Sequence, residues 1–382
     1  MEVLEILSPF GLLSDWERHY LFRSMCIVER MHLIRNFLQQ NSDFDPSQSY
    51  LFKADVDEQI ILWYKYDRCC FLCWAGAEAS LDAFEALFER VGVAYTPRQH
   101  ITHLCIATSR RHGGITDLIL KYVRDPNQPD SNGLNAILHA TRGSQMCKSH
   151  PELNLTAENI DKAGICGNCR NEQLYGIFTI ESLLRHGCRL TSTYQGATAI
   201  HYATANMSLD IVKYLMSQGL DIHAPDSKGT IALHTACAVG FTAGVEFIIR
   251  QSHVLDVIDS CSDLLGTPLY LASNHGYVEV IEMLLNAGAS VEKQCLPGNT
   301  WGTPLYAACA GGQDEAVRLL LSYGANPTAQ GPRYNSVVAV AQALDRSSVL
   351  KILEESTKVL AIVGGKDFTG IQLELLNAKI RV

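Results

Sequence analysis

Four residues have the types and spacing to hold a metal ion: Cys147, His150, Cys166 and Cys169, which read C-x2-H, fifteen intervening residues, then C-x2-C. Tetrahedral zinc takes two such pairs, because each short pair makes a tight knuckle and the loop between them lets the pairs converge. Gly167 and Asn168 are small turn residues of the kind a knuckle favours. Zinc would also order a segment with little apolar content of its own. It is the candidate cofactor, set against the plainer reading of a metal-free loop and a third in which the thiols do redox or catalytic work. No other catalytic signature is present. Gly365-Lys366 invites a phosphate loop, but Leu360 stands where its first glycine is required and Asp367 where Ser or Thr should hold magnesium.

The elements that must position this stretch are set by a recurring alanine. Ala75, Ala107 and Ala140 are 32 and 33 residues apart, and Ala203, Ala236, Ala272, Ala308 and Ala341 follow at 33, 36, 36 and 33. Ala140 and Ala203 are 63 residues apart, so about 30 extra ones, spanning roughly 143–173, interrupt the third unit. Its first helix holds Ile137 and Ala140, and the second is expected to resume around Ile180, Leu183 and Leu184.

The units are clearest where one phrase is written twice, Gly266-Thr-Pro-Leu-Tyr-Leu-Ala and Gly302-Thr-Pro-Leu-Tyr-Ala-Ala, each followed by a glycine, an apolar helix and a closing Gly-Ala. Thr267 and Thr303 can cap a helix whose first residue is proline, and Gly324 can end one in the left-handed conformation. Val317, Leu320 and Leu321 form the apolar stripe of a second helix. One such helix pair cannot bury both faces and needs neighbours.

This pattern resembles the ankyrin repeat, strongly over residues 196–328 and more weakly over 67–356. The resemblance implies an all-α solenoid of stacked helix-turn-helix units, with residues 1–66 as an N-terminal helical cap and 357–382 as a tail. It implies that His201 and His234 are structural, each bonding the opening threonine and neighbouring backbone, and that Tyr270 and Tyr306, at the same position, put that bond in doubt. His100 and His103 look like substituted repeat positions. It also implies that partners are met on a concave face and on the finger turns between repeats. Leu264, Leu265, Trp301, Arg333 and Tyr334 are the candidate contact residues, with packing against their own helices as the alternative.

Composition narrows the function. A formal charge of −9 argues against a phosphate-binding surface, so no direct nucleic-acid contact is expected. No apolar run approaches the roughly 18 residues of a membrane span, and Glu2 and Glu5 stand where a secretory signal is basic. The cysteines number 13, and those such as Cys237 and Cys309 that follow an anchor alanine suit reduced thiols acting as small hydrophobes inside a cell. The expected role is a non-enzymatic, intracellular scaffold for another protein. The resemblance extends to fungal coregulators of secondary-metabolite gene clusters; a ubiquitin-ligase substrate adaptor and an enzyme using the Cys/His insertion are the alternatives.

Overall fold

The structure is a computed structural model, and it describes residues 97–109, 111, 113–142, 167–251, 254–295, 302–329, 331, 334 and 336–363. The expected cap over 1–66, the unit around Ala75 and most of the expected tail lie outside the described residues. So do Cys147, His150 and Cys166.

The chain divides into two compact units, whose described parts are 97–142 with 167–194, and 195–363. In the first, α1 (Pro97–Ser109) and α2 (Gly113–Leu120) make one pair, and α3 (Ala136–Arg142) and α4 (Gly167–Arg185) the next. First helices pack on first helices and second on second, α1 against α3 and α2 against α4. Helix α4 starts earlier than the sequence reading placed it. Residues 167–169 form its first turn, so Gly167 and Asn168 stand at a helix start. Cys169 lies in that first turn, and the other three candidate ligands fall outside the described residues.

The second unit repeats the plan. Its pairs are α5 (Ala199–Ala205) with α6 (Leu209–Ser217), and α7 (Ala232–Val239) with α8 (Thr242–Ile249). After a short α9 (Val254–Val257) come α10 (Pro268–His275) with α11 (Val278–Asn286), α12 (Pro304–Gly311) with α13 (Asp314–Ser322), and α14 (Val337–Ala343) with α15 (Ser347–Val363). Helices α5, α7, α10, α12 and α14 stack in that order, each on the next. The last helix runs seven residues past the boundary expected at 356. No strand occurs among the described residues; an antiparallel bridge closes the turn from Ser262 to Gly266.

Local chemistry explains these boundaries. Thr267 Oγ1 accepts from the Tyr270 N–H at 3.0 Å, and Thr303 Oγ1 from the Tyr306 N–H at 3.2 Å. Each satisfies one of the donors a helix start leaves unpaired, and the adjoining Pro268 and Pro304 have no such donor to satisfy. At the other end Gly276 and Gly312 take φ of 75° and 72°, a left-handed cap that turns the chain into the second helix.

The anchor alanines prove to be the seam. Ala107, Ala140, Ala203, Ala236, Ala272, Ala308 and Ala341 are all fully buried. A methyl group there lets neighbouring first helices approach closely, while Ile211, Val245, Leu284 and Leu320 fill the space behind them, each 0% exposed.

Candidate functional site

Between consecutive pairs the chain forms a finger. Asp226 builds one of them: its Oδ1 accepts from the N–H groups of Lys228 and Thr230, both at 2.8 Å, while its own N–H donates to the Thr230 carbonyl. Ser262 takes over in the next finger, where its N–H donates to the Gly266 carbonyl at 2.9 Å and its Oγ accepts from the Leu264 N–H at 3.4 Å. The two fingers are tied together. Thr230 Oγ1 and Ser262 Oγ share a hydrogen bond at 2.9 Å, and the Asp263 N–H donates to the Lys228 carbonyl at 2.9 Å.

At Ala203, Ala236 and Ala308 the next finger is tied to the first helix through the side chain two residues before the anchor alanine. His201 Nδ1 accepts from the Thr198 N–H, and its Nε2 meets the carbonyl of Thr230 in the following finger at 2.9 Å. His234 repeats this with the Ile231 N–H and the Ser260 carbonyl. Both histidines are therefore structural ties, as the resemblance implied. Burial drives their pKa down, for His234 to about 4, so the neutral ring is the resident form. Tyr306 keeps the tie by other means. Its hydroxyl accepts from the Tyr334 N–H at 3.3 Å, 28 residues on, so the phenol reaches the next finger where imidazole would have done so. His100 and His103 are buried on α1, the former stacked on Tyr122.

The candidate contact residues divide. Leu264 is 50% exposed at the tip of its finger, among the most exposed large apolar side chains described, and Leu265 beside it is half-buried. Tyr334 is half-buried, with its backbone committed to Tyr306. Trp301 and Arg333 lie outside the described residues. The structure thus places Leu264, Leu265 and Tyr334 on two different fingers.

The 36-residue spacing does not lengthen the first of those fingers. Ten residues separate Asp226 from Ala236 and Ser262 from Ala272 alike. The extra residues sit earlier, between α8 and the finger, where α9 has no counterpart after α6.

One expectation about the thiols fails. Cys261 and Cys295, at a sequence separation of 34, form a disulfide with Cα atoms 5.6 Å apart. That separation is close to one repeat, so stacking carries both cysteines to the same place on neighbouring fingers; a search at the repeat period would have paired them. Cys237 and Cys309 are free and buried, as expected, and burial raises the Cys309 thiol to about 12. Disulfides persist in oxidising compartments, which sets this pair against the reading of a uniformly reduced chain.

Comparison with known proteins agrees with this geometry. A family model described as ankyrin repeats (3 copies) matches residues 172–259 and 233–331. SMC5-SMC6 complex localization factor protein 1 of Bos taurus is 35% identical over 98 residues, 25% of this chain and 9% of that protein. NF-kappa-B inhibitor alpha of Homo sapiens is 32% identical over 100 residues, 25% of this chain and 32% of that protein. The chain thus spans less than a third of these relatives. The crystal structure of the human ASB11 ankyrin repeat domain aligns with a TM-score of 0.48 at 22% identity, covering 66% of this chain and 96% of that one.

Proposed function

We propose that this ankyrin-repeat protein is a non-enzymatic scaffold that binds another protein across the finger tips of its second unit. The observation that carries the reading is Leu264. The surrounding turn is held by Ser262 and tied to its neighbour, yet it presents a half-exposed leucine to solvent. An apolar side chain on a rigid tip loses little conformational freedom on binding and gains the full benefit of being covered.

The finer role we propose is a coregulator that acts on transcription through a protein partner, in the setting of a fungal secondary-metabolite gene cluster. Two features support it: a formal charge of −9 disfavours contact with phosphates, and one relative is by name an inhibitor of NF-kappa-B. Proximity labelling in the native cell, with the wild type and a Leu264→Asp variant, tests both levels. A set of neighbours lost in the variant, containing transcription regulators, is the expected outcome. An identical set in both rejects the tip as the docking point, and a lost set without such regulators rejects the finer role alone.

A further inference from the structure

In the first unit the joint at Ala107 is built differently from those at Ala203 and Ala236. The residue two before Ala107 is Cys105, so a thiol stands where His201 stands relative to Ala203. Both side chains aim at the same target, a finger carbonyl 29 residues on. His201 reaches Thr230 at 2.9 Å, whereas Cys105 Sγ is 3.9 Å from the Leu134 carbonyl. A thiol is a weak donor, and at that distance the joint has lost most of its hydrogen bond.

What gathers around the thiol is a set of metal donors. Asp130 shapes its finger as Asp226 does, with Oδ1 accepting from the Asn132 and Leu134 N–H groups at 2.8 and 3.0 Å. Its other oxygen, Oδ2, faces His139 Nε2 at 2.8 Å. His139 occupies a position where the second-unit counterpart, Thr235, has no ring. One donor atom each from Cys105, Asp130 and His139 lie within 4.8 Å of one another, the only such trio among the described residues. Cys105 is 3% exposed and the side chains of His139 and Asp130 are 8% and 10% exposed. The Asp130 and His139 side chains meet in a joint that is almost wholly closed to solvent.

We propose that Cys105, Asp130 and His139 bind a zinc ion that clamps α1 to the finger before α3. Ligands at zinc's usual radii stand about 3.5 Å apart, so binding asks the Cys105 thiol to close by about 1 Å at most and the Asp130–His139 pair, 2.8 Å apart, to open slightly. Thiolate, imidazole and carboxylate together suit a borderline-soft cation. A thiolate and a carboxylate also neutralise its two charges, which removes the main objection to placing a dication in an apolar joint. The clamp would supply the link between repeats that histidine supplies at Ala203 and Ala236.

The test is zinc stoichiometry on the full chain, by metal analysis after saturation with Zn2+ and desalting. It compares the wild type with Cys105→Ala and with His139→Gln. Each variant should hold one zinc fewer than the wild type, whatever the 143–173 segment retains. Co2+ substitution should give a thiolate-to-metal band that Cys105→Ala weakens. Circular dichroism checks folding of both variants, and the conservative His139→Gln serves if Cys105→Ala fails that check. Equal zinc content in the wild type and a folded variant overturns the proposal, as does a Co2+ spectrum that Cys105→Ala leaves unchanged.

Discussion

Tyr306 and Gly331 occupy one another's space: a Cβ built on Gly331 would lie 1.9 Å from Cε2 of the Tyr306 ring. The ring is 5% exposed and fixed at its far end by the Tyr334 N–H, so it has little room to retreat. Where the repeat exchanges histidine for a larger phenol, the following finger gives up a side chain to admit it. Gly331→Ala should therefore cost about 1–3 kcal/mol, the usual range for overpacking. Urea denaturation of this variant, of Tyr306→His and of the double variant checks it. The double variant should recover part of the loss, and strict additivity would mean that the two residues do not compete.

The core of the second unit leans on Leu284, which is 0% exposed on α11. Leu284→Ala should destabilise the chain by about 2–5 kcal/mol, as truncation of a buried leucine does. A chemical-denaturation loss below about half a kilocalorie, the size expected of a surface change, would remove Leu284 from the core.

The Cys261–Cys295 bridge closes a loop of 34 residues. Loop-closure entropy for a ring of that size is worth about 3–4 kcal/mol. Reducing agent should lower the denaturation midpoint of the wild type and leave Cys261→Ser unaffected. Alkylation under native and denaturing conditions, read by mass spectrometry, should find Cys261 and Cys295 blocked and Cys237 and Cys309 free. Alkylation of Cys261 without reductant would return the chain to the all-thiol reading.

Acid should weaken the fold through His234. Its folded pKa is depressed to about 4 from the ordinary 6.5, chiefly by burial, so between these values the unfolded chain binds the proton and the folded chain does not. The associated stability is complete above about pH 6.5 and drains away toward pH 4, amounting to about 3 kcal/mol. His201 contributes in the same direction. Denaturation midpoints measured across that range should fall for the wild type and flatten for His234→Gln. Parallel slopes in the two proteins would place the pH dependence elsewhere.

How far the fold could be read in advance follows from where each signal sits along the chain. Thr-Pro caps, left-handed glycines and anchor alanines are local and periodic, so Thr303, Gly312 and Ala308 announce their roles within ten residues. The start of α4 at Gly167 was hidden because Gly-Asn reads as a turn when taken alone, while the polar run up to Gln173 carries no apolar period to mark it as helix. The Cys105, Asp130 and His139 cluster spans three elements and carries no short motif. Its one clue was positional: Cys105 falls two residues before an anchor alanine, in a slot that His201 and His234 mark as a joint. Among the contact candidates, hydrophobicity alone picked Leu264, but only coordinates separate its exposed side chain from half-buried Leu265.

The detour through α9 places the added residues behind the finger, leaving unchanged the ten-residue stride from Ser262 to Ala272. Growth by insertion at this point leaves the finger's own stride as it is. A short tag or fluorophore spliced directly after Gln251, ahead of the Ser260 and Cys261 contacts, should therefore report on the protein without unfolding it.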